Sequence, residues 1–231
     1  MPTPVRYPSG VATQTSNHPM GQFALPDPSD WAYYFNDFMT YAAGDWTITK
    51  VGTGTQALAA GAGGLLLNTT TTGASDSVLN QLAVASFAYT AGKKIVFRVR
   101  GQLSDATNSA FHAGLIATTT TPLAAVDGLF IYKATGATSA VLRNTNNSAN
   151  TDVTITGFAA ANATNFDLGY YVDQNGRVVV YDLVQSPLDG PVAAGTVSQR
   201  AVNLALSFGI TNGAGAAKTL TLDHIFVGVE R

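Results

Sequence analysis

"FDLGYYVDQNGRVVVYDLV", residues 166–184, decides the fold. Two runs of β-branched and aromatic residues flank Asp173-Gln174-Asn175-Gly176, where Asn and Gly tolerate the positive φ of a tight antiparallel turn. The stretch reads as a β-hairpin. The same period of two continues outward. In "KKIVFRVRGQ" (93–102), Ile95, Phe97 and Val99 share one face and Val96, Arg98 and Arg100 the other. In "NLALSFGIT" (203–211), Leu204, Leu206, Phe208 and Ile210 point one way and Ala205, Ser207 and Gly209 the other. Each uniformly apolar set is assigned to a core.

Further strands are expected at 33–41, 45–51, 64–69, 111–117, 128–134, 138–143, 152–156 and 217–229. Gly, Asn, Thr and Pro clusters separate them, among them "TTTTGAS", "TTTTPLAA" and "RNTNNSAN". The one helix candidate is "SDSVLNQLAVA" (75–85), with Ser75 as its cap. Many short strands without βαβ spacing imply an all-β antiparallel sandwich or jelly roll. At 231 residues one such domain accounts for residues 31–231.

Residues 1–30 have a different character. Six of the nine prolines fall within positions 1–28. Proline fixes φ and removes a donor, which favours extended chain over helix or central strand. Tyr7, Val11, Phe23 and Leu25 supply apolar anchors that a purely solvating tail does not need. The segment reads as an extended arm that orders along a partner.

Composition excludes several functions. Net charge is −2 with no basic run, which argues against a phosphate-binding surface for nucleic acid. Nothing approaches eighteen consecutive apolar residues, so no membrane span is expected, and no signal peptide is read at the N-terminus. Without cysteine there is neither disulfide nor thiolate metal site. Glycoside hydrolysis normally needs two carboxylates across the scissile bond. This chain has one glutamate, Glu230, leaving only aspartate pairs such as Asp37 with Asp45 or Asp223. His18, His112 and His224 have no metal-ligand spacing; His112 and His224 fall in strands and read as hydrogen-bonded structural histidines. "GTGTQA" (52–57) and "NGAGAAK" (212–218) read as hairpin loops rather than dinucleotide loops. No catalytic residue, cofactor or metal is assigned.

"DWAYYFNDFMTYAAGDWTI" (30–48) holds both tryptophans. Tyr33, Phe35, Asp37, Met39 and Tyr41 alternate with Tyr34, Asn36, Phe38 and Thr40, so both faces are partly apolar. The expectation is a strand covered on two sides, serving as core and as anchoring surface. The competing reading is a surface patch of Trp31, Tyr34, Asp37 and Trp46 that stacks on and grips a sugar.

"YYFNDFMTYAAGDWTI" (33–48) and "KTLTLDHIFVGVER" (218–231) resemble the first and last strands of concanavalin A-like jelly rolls, in which the terminal strands lie together. "RYPSGV" (6–11), "AGKKIVFRVRGQLSDAT" (91–107), "VDGLFIYK" (126–133) and "SFGITNGAGAAKTLTLDHI" (207–225), in that order, resemble tailed-bacteriophage head decoration (cement) or head-associated structural proteins. The resemblance implies a jelly roll on the outside of a virion capsid, assembled in the host cytoplasm and without catalysis. Its partners would be the major capsid protein and neighbouring copies, with a trimer favoured among homo-oligomers. A carbohydrate-binding, lectin-like module is the alternative.

Overall fold

The computed structural model describes residues 29–61, 63–184, 190–198 and 200–231. The arm anchors Tyr7, Val11, Phe23 and Leu25, and His18, lie outside these residues. The first strands are β1 (Trp31–Asn36), β2 (Trp46–Val51), β3 (Thr55–Leu58), β4 (Leu66–Thr69), β5 (Ser77–Leu82) and β6 (Phe87–Tyr89). The middle of the chain adds β7 (Ile95–Leu103), β8 (Ser109–Ile116), β9 (Gly128–Lys133), β10 (Ala140–Asn146) and β11 (Ala149–Ile155). The last are β12 (Asn165–Val172), β13 (Arg177–Asp182), β14 (Ala193–Thr196), β15 (Val202–Asn212) and β16 (Thr219–Glu230).

These strands form two sheets. The first runs β14-β13-β12-β7-β16-β4-β3, and β1 pairs with β16; the second runs β11-β10-β9-β8-β15-β5-β2, and β6 pairs with β15. Every pairing between these strands is antiparallel. The architecture is an antiparallel β-sandwich, a jelly roll, as expected. The first and last strands are neighbours, in a register that sets Trp31 opposite Glu230 and Phe35 opposite Phe226. Along the same edge of β16, β4 pairs residues 219–222 and β1 pairs residues 225–230, with a bulge at Asp223 between them. The bulge flips the alternation, so Leu220 and Leu222 before it and Ile225, Val227 and Val229 after it all face the core.

Both alternating sets assigned to the core belong to it. Ile95, Phe97 and Val99 on the first sheet, and Leu204, Leu206, Phe208 and Ile210 on the second, are at most 1% exposed. Rings pack across and within the layers: Phe111 of β8 stacks on Phe166 of β12 in the facing sheet with centroids 4.9 Å apart, and Trp46 of β2 meets Phe208 of β15 in its own sheet edge-on at 5.0 Å. Tyr170 on β12 donates its buried hydroxyl to Leu129 O on β9, 2.8 Å away. A second polar bridge joins β4 to β5, where Asn80 Nδ2 donates to Asn68 Oδ1 (3.1 Å) and Asn68 Nδ2 donates to Val78 O (3.1 Å).

Several local expectations are corrected. The helix expected at 75–85 is strand β5, paired on one side with β15 and on the other with β2. Ser75 sits at φ 76° and donates its N–H to Asn212 O, so it is a turn residue and not a cap. A central strand buried on both faces loses the clean alternation of a one-sided strand, and its pairing partners override local propensity. The strand expected at 33–41 ends at Asn36, whose Oδ1 accepts the N–H of Phe38 at 2.7 Å. Phe38 turns back at φ 52° and inserts beside Phe208. "RNTNNSAN" is not a breaker: it lies within a β10–β11 hairpin whose turn, Asn147-Ser148, has positive φ at both positions. Residues 52–54 and 213–218 are not hairpin loops, because each carries the chain from the second sheet to the first.

Candidate functional site

Strand β1 carries the most exposed aromatic surface among the described residues. Tyr34 turns inward against Trp46, edge-on at 6.0 Å, so Trp31, Tyr33 and Phe35 share the outer face of the first sheet. Tyr33 is 43% exposed, Phe35 56% and the following Met39 62%, while Trp31 is half-buried. β1 pairs only with β16, so no described strand pairs with its other edge. Gly228, opposite Tyr33, has no side chain to lift the rings away. A Cβ there would stand 3.4 Å from both Trp31 Cε3 and Phe226 Cζ. The strip continues across the sheet to His224, whose ring lies 6.2 Å from Phe35.

Ion pairs border this strip. Arg98, in register with Phe226, donates Nε to Asp167 Oδ1 (2.8 Å) and Nη2 to Asp167 Oδ2 (2.7 Å). Arg100 Nε meets Asp223 Oδ2 at 3.1 Å. Burial, and then the Arg98 charge, push the His224 imidazole below its ordinary value. Beyond Arg98, buried Val96, Tyr181 and Leu183 form a small apolar cluster on the outer side, with Tyr171, Val179 and Phe226 packed against it.

The surface patch read from Trp31, Tyr34, Asp37 and Trp46 is not one surface. Trp46 is 5% exposed and belongs to the core, Tyr34 packs on it, and Asp37 is exposed beyond the end of β1, its Oδ1 accepting Met39 N–H at 3.3 Å. Only Trp31 lies on the outer aromatic face. Strand alternation decides this: residues 31, 33 and 35 face out because 34 faces in. Among the described residues the inner face of β1 is covered and its outer face, with Tyr33 and Phe35, is exposed; the arm expected to anchor on this stretch lies outside the described residues.

The carboxylates are mostly engaged in architecture. Asp105 pairs with Lys218, Asp127 with Arg200, Asp152 with Arg143 and Glu230 with Lys94. Asp173 closes the 173–176 turn by accepting the N–H groups of Asn175 and Arg177. Lys133, fully buried, donates to Ser109 O (2.8 Å) and Ala134 O (3.0 Å), and burial lowers its pKa to about 8. Among the described residues no three His, Asp or Glu side chains are grouped to hold a metal ion. His112 departs from expectation: it is 4% exposed, and its Nε2 has no hydrogen-bond partner.

No family model and no curated protein matches the chain. Solved structures do. A β-1,3-1,4-glucanase (lichenase) from a mouse hindgut metagenome aligns with TM-score 0.60 at 12% identity, over 84% of this chain and 98% of that one. The carbohydrate recognition domain of Emp47p aligns with TM-score 0.59 at 10% identity, over 87% and 98%. The CBM2 module of the evolved Dit protein of Lactobacillus casei BL23 phage J-1 aligns with TM-score 0.53 at 12% identity, over 86% and 96%. At these identities the likeness is one of fold: jelly-roll domains of glucanases and carbohydrate-binding modules, one of them from a phage.

Proposed function

We propose that this protein is a non-enzymatic virion structural protein that decorates the outside of a tailed-phage capsid. It binds the major capsid protein and neighbouring copies of itself through the outer face of β1 and the residues before it, and assembles in the host cytoplasm. The observation that carries this reading is the strip of half-buried Trp31 and exposed Tyr33 and Phe35 on a sheet-edge strand, with exposed Met39 just beyond its end. Exposed aromatics and methionine are the residue types enriched at protein interfaces. The strip begins directly after the proline-rich segment, so arm and strip would form one continuous attachment surface. An arm that orders on binding costs about 1–2 kcal/mol per fixed residue, which a preformed aromatic anchor beside it helps to offset.

The test is sedimentation with shells of the source particle. The full chain should co-sediment. Deletion of residues 2–28, and separately Tyr33→Ser with Phe35→Ser, should each weaken binding at least tenfold while the sandwich stays folded. Undiminished decoration by both variants would refute the attachment surface.

The same rings favour a second reading, carbohydrate binding, because flat exposed aromatics suit the apolar faces of sugars and lectin domains share this fold. A glycan array separates the two readings. Binding abolished by Phe35→Ser, with no affinity for shells, would favour the lectin.

A further inference from the structure

We propose that a pocket on the outer face of the second sheet, beside His112, binds an uncharged, hydroxyl-bearing small molecule of monosaccharide size. The site lies on the sheet opposite to the β1 strip and does not depend on the attachment reading. Its floor follows from the register. Leu79 of β5, Gly209 of β15 and His112 of β8 stand side by side across three strands, and each alternates with buried residues. Because position 209 is glycine, the imidazole lies across it: a Cβ there would come within 2.5 Å of His112 Cε1 and 2.8 Å of Nε2. The wall is the segment that follows β8. Its base is pinned where Ala117 donates its N–H to Asp127 O (2.9 Å) and Thr119 donates its N–H to Gln81 Oε1 (3.0 Å).

The pocket opens to solvent and its volume is about 340 Å³, within the roughly 300–1,000 Å³ of small-molecule sites and far beyond the room one water needs. Val51, Leu79 and Leu123 give the pocket apolar walls; Thr120 and Thr121 add hydroxyl-bearing side chains. None of the lining residues carries a cation or carboxylate. An anionic or cationic ligand would therefore lose its hydration without a counter-charge. The unpartnered Nε2 is the specific feature, since a buried polar atom left unpaired is costly and rare in folded proteins. A neutral imidazole presents Nε2 as a donor in one tautomer and an acceptor in the other. Nε2 itself is closed to solvent, so a ligand reaches it when the imidazole tilts toward the pocket; there a hydroxyl answers either tautomer, and a sugar ring adds an apolar face for the leucines.

The experiment titrates the full-length protein with glucose, galactose, mannose and N-acetylglucosamine, and reads the imidazole nitrogens by long-range ¹H–¹⁵N NMR. His112→Gln assigns the resonance. At least one sugar should shift His112 Nε2 saturably. Leu123→Trp, which fills the pocket from a residue 38% exposed, should weaken that response at least tenfold. Val51→Trp, at 54% exposed, repeats the block from the opposite wall. The proposal is overturned if no sugar moves His112, if the response survives both tryptophans, or if every sugar response disappears with Phe35→Ser instead.

Discussion

Phe208→Ala tests the central packing claim. Phe208 is fully buried on β15, with Trp46 edge-on at 5.0 Å and Phe38 edge-on at 6.1 Å. Truncating a core phenylalanine costs about 3–5 kcal/mol. Here two aromatic contacts are lost as well, each worth about 0.5–1.5 kcal/mol in such pairs. The cavity has little means of closing, because Trp46 and Phe38 are anchored on separate segments. The expected loss is therefore at the upper end, about 4–5 kcal/mol. For a chain of this size each kcal/mol moves Tm by about 2–4 °C, so Tm should fall by roughly 8–20 °C. Urea unfolding followed by far-UV circular dichroism and by tryptophan fluorescence gives the free energy; the midpoint should move with unchanged slope. Phe35→Ala is the control. At 56% exposed, it should change stability by no more than about 0.5 kcal/mol. A Phe208→Ala loss below about 1 kcal/mol, or a Phe35→Ala loss equal to it, would show that the two faces have been exchanged.

Gly209→Ala should cost about 1–3 kcal/mol by driving a methyl into the His112 ring. His112→Ala in the same chain should recover the part of that cost due to the ring, leaving the approach to Val78 O at 2.9 Å, and a double-mutant cycle measures the coupling. Arg98→Ala leaves the Asp167 carboxylate, 5% exposed, without its bidentate partner; a loss of about 3 kcal/mol in urea is expected, and a neutral result would mean Asp167 is hydrated. Burial lowers His112 to about 4 from its ordinary 6.5, so between these values the folded chain binds fewer protons than the unfolded one. The His112 contribution is then complete above pH 6.5 and declines as pH falls towards 4, by about 3 kcal/mol at 1.36 kcal/mol per unit; a pH series should show at least that slope, and His112→Gln should remove this part of it and leave that of His224. No turnover of mixed-linkage β-glucan is expected in a reducing-sugar assay. Activity that one Asp→Asn change abolishes would overturn the non-enzymatic reading.

Period-two runs, proline placement and turn residues were legible in the chain because each is a local property. Ile95, Phe97, Val99 and the four residues from Leu204 to Ile210 announce a buried face by alternation alone, and "DQNG" announces its turn through the φ it tolerates. The neighbouring terminal strands were reached by resemblance and appear as β1 paired with β16. What failed locally failed for want of neighbours. Residues 77–82 spell no clear period because both their faces are covered, and only their pairing with β15 and β2 makes them a strand. Trp46 and Phe35 are equally aromatic on paper. Backbone register sends the first into the sandwich and leaves the second on an open edge. His112 looked like an ordinary strand histidine, and only the packing of residues 117–127 over the outer face shows a buried nitrogen without a partner. The sequence alone determined an all-β chain with a two-faced rhythm, since pleat and turn chemistry act between adjacent residues. The tertiary structure alone decided which aromatics meet solvent, which polar atom is stranded and where a pocket opens, since these depend on how separate segments pack against one another.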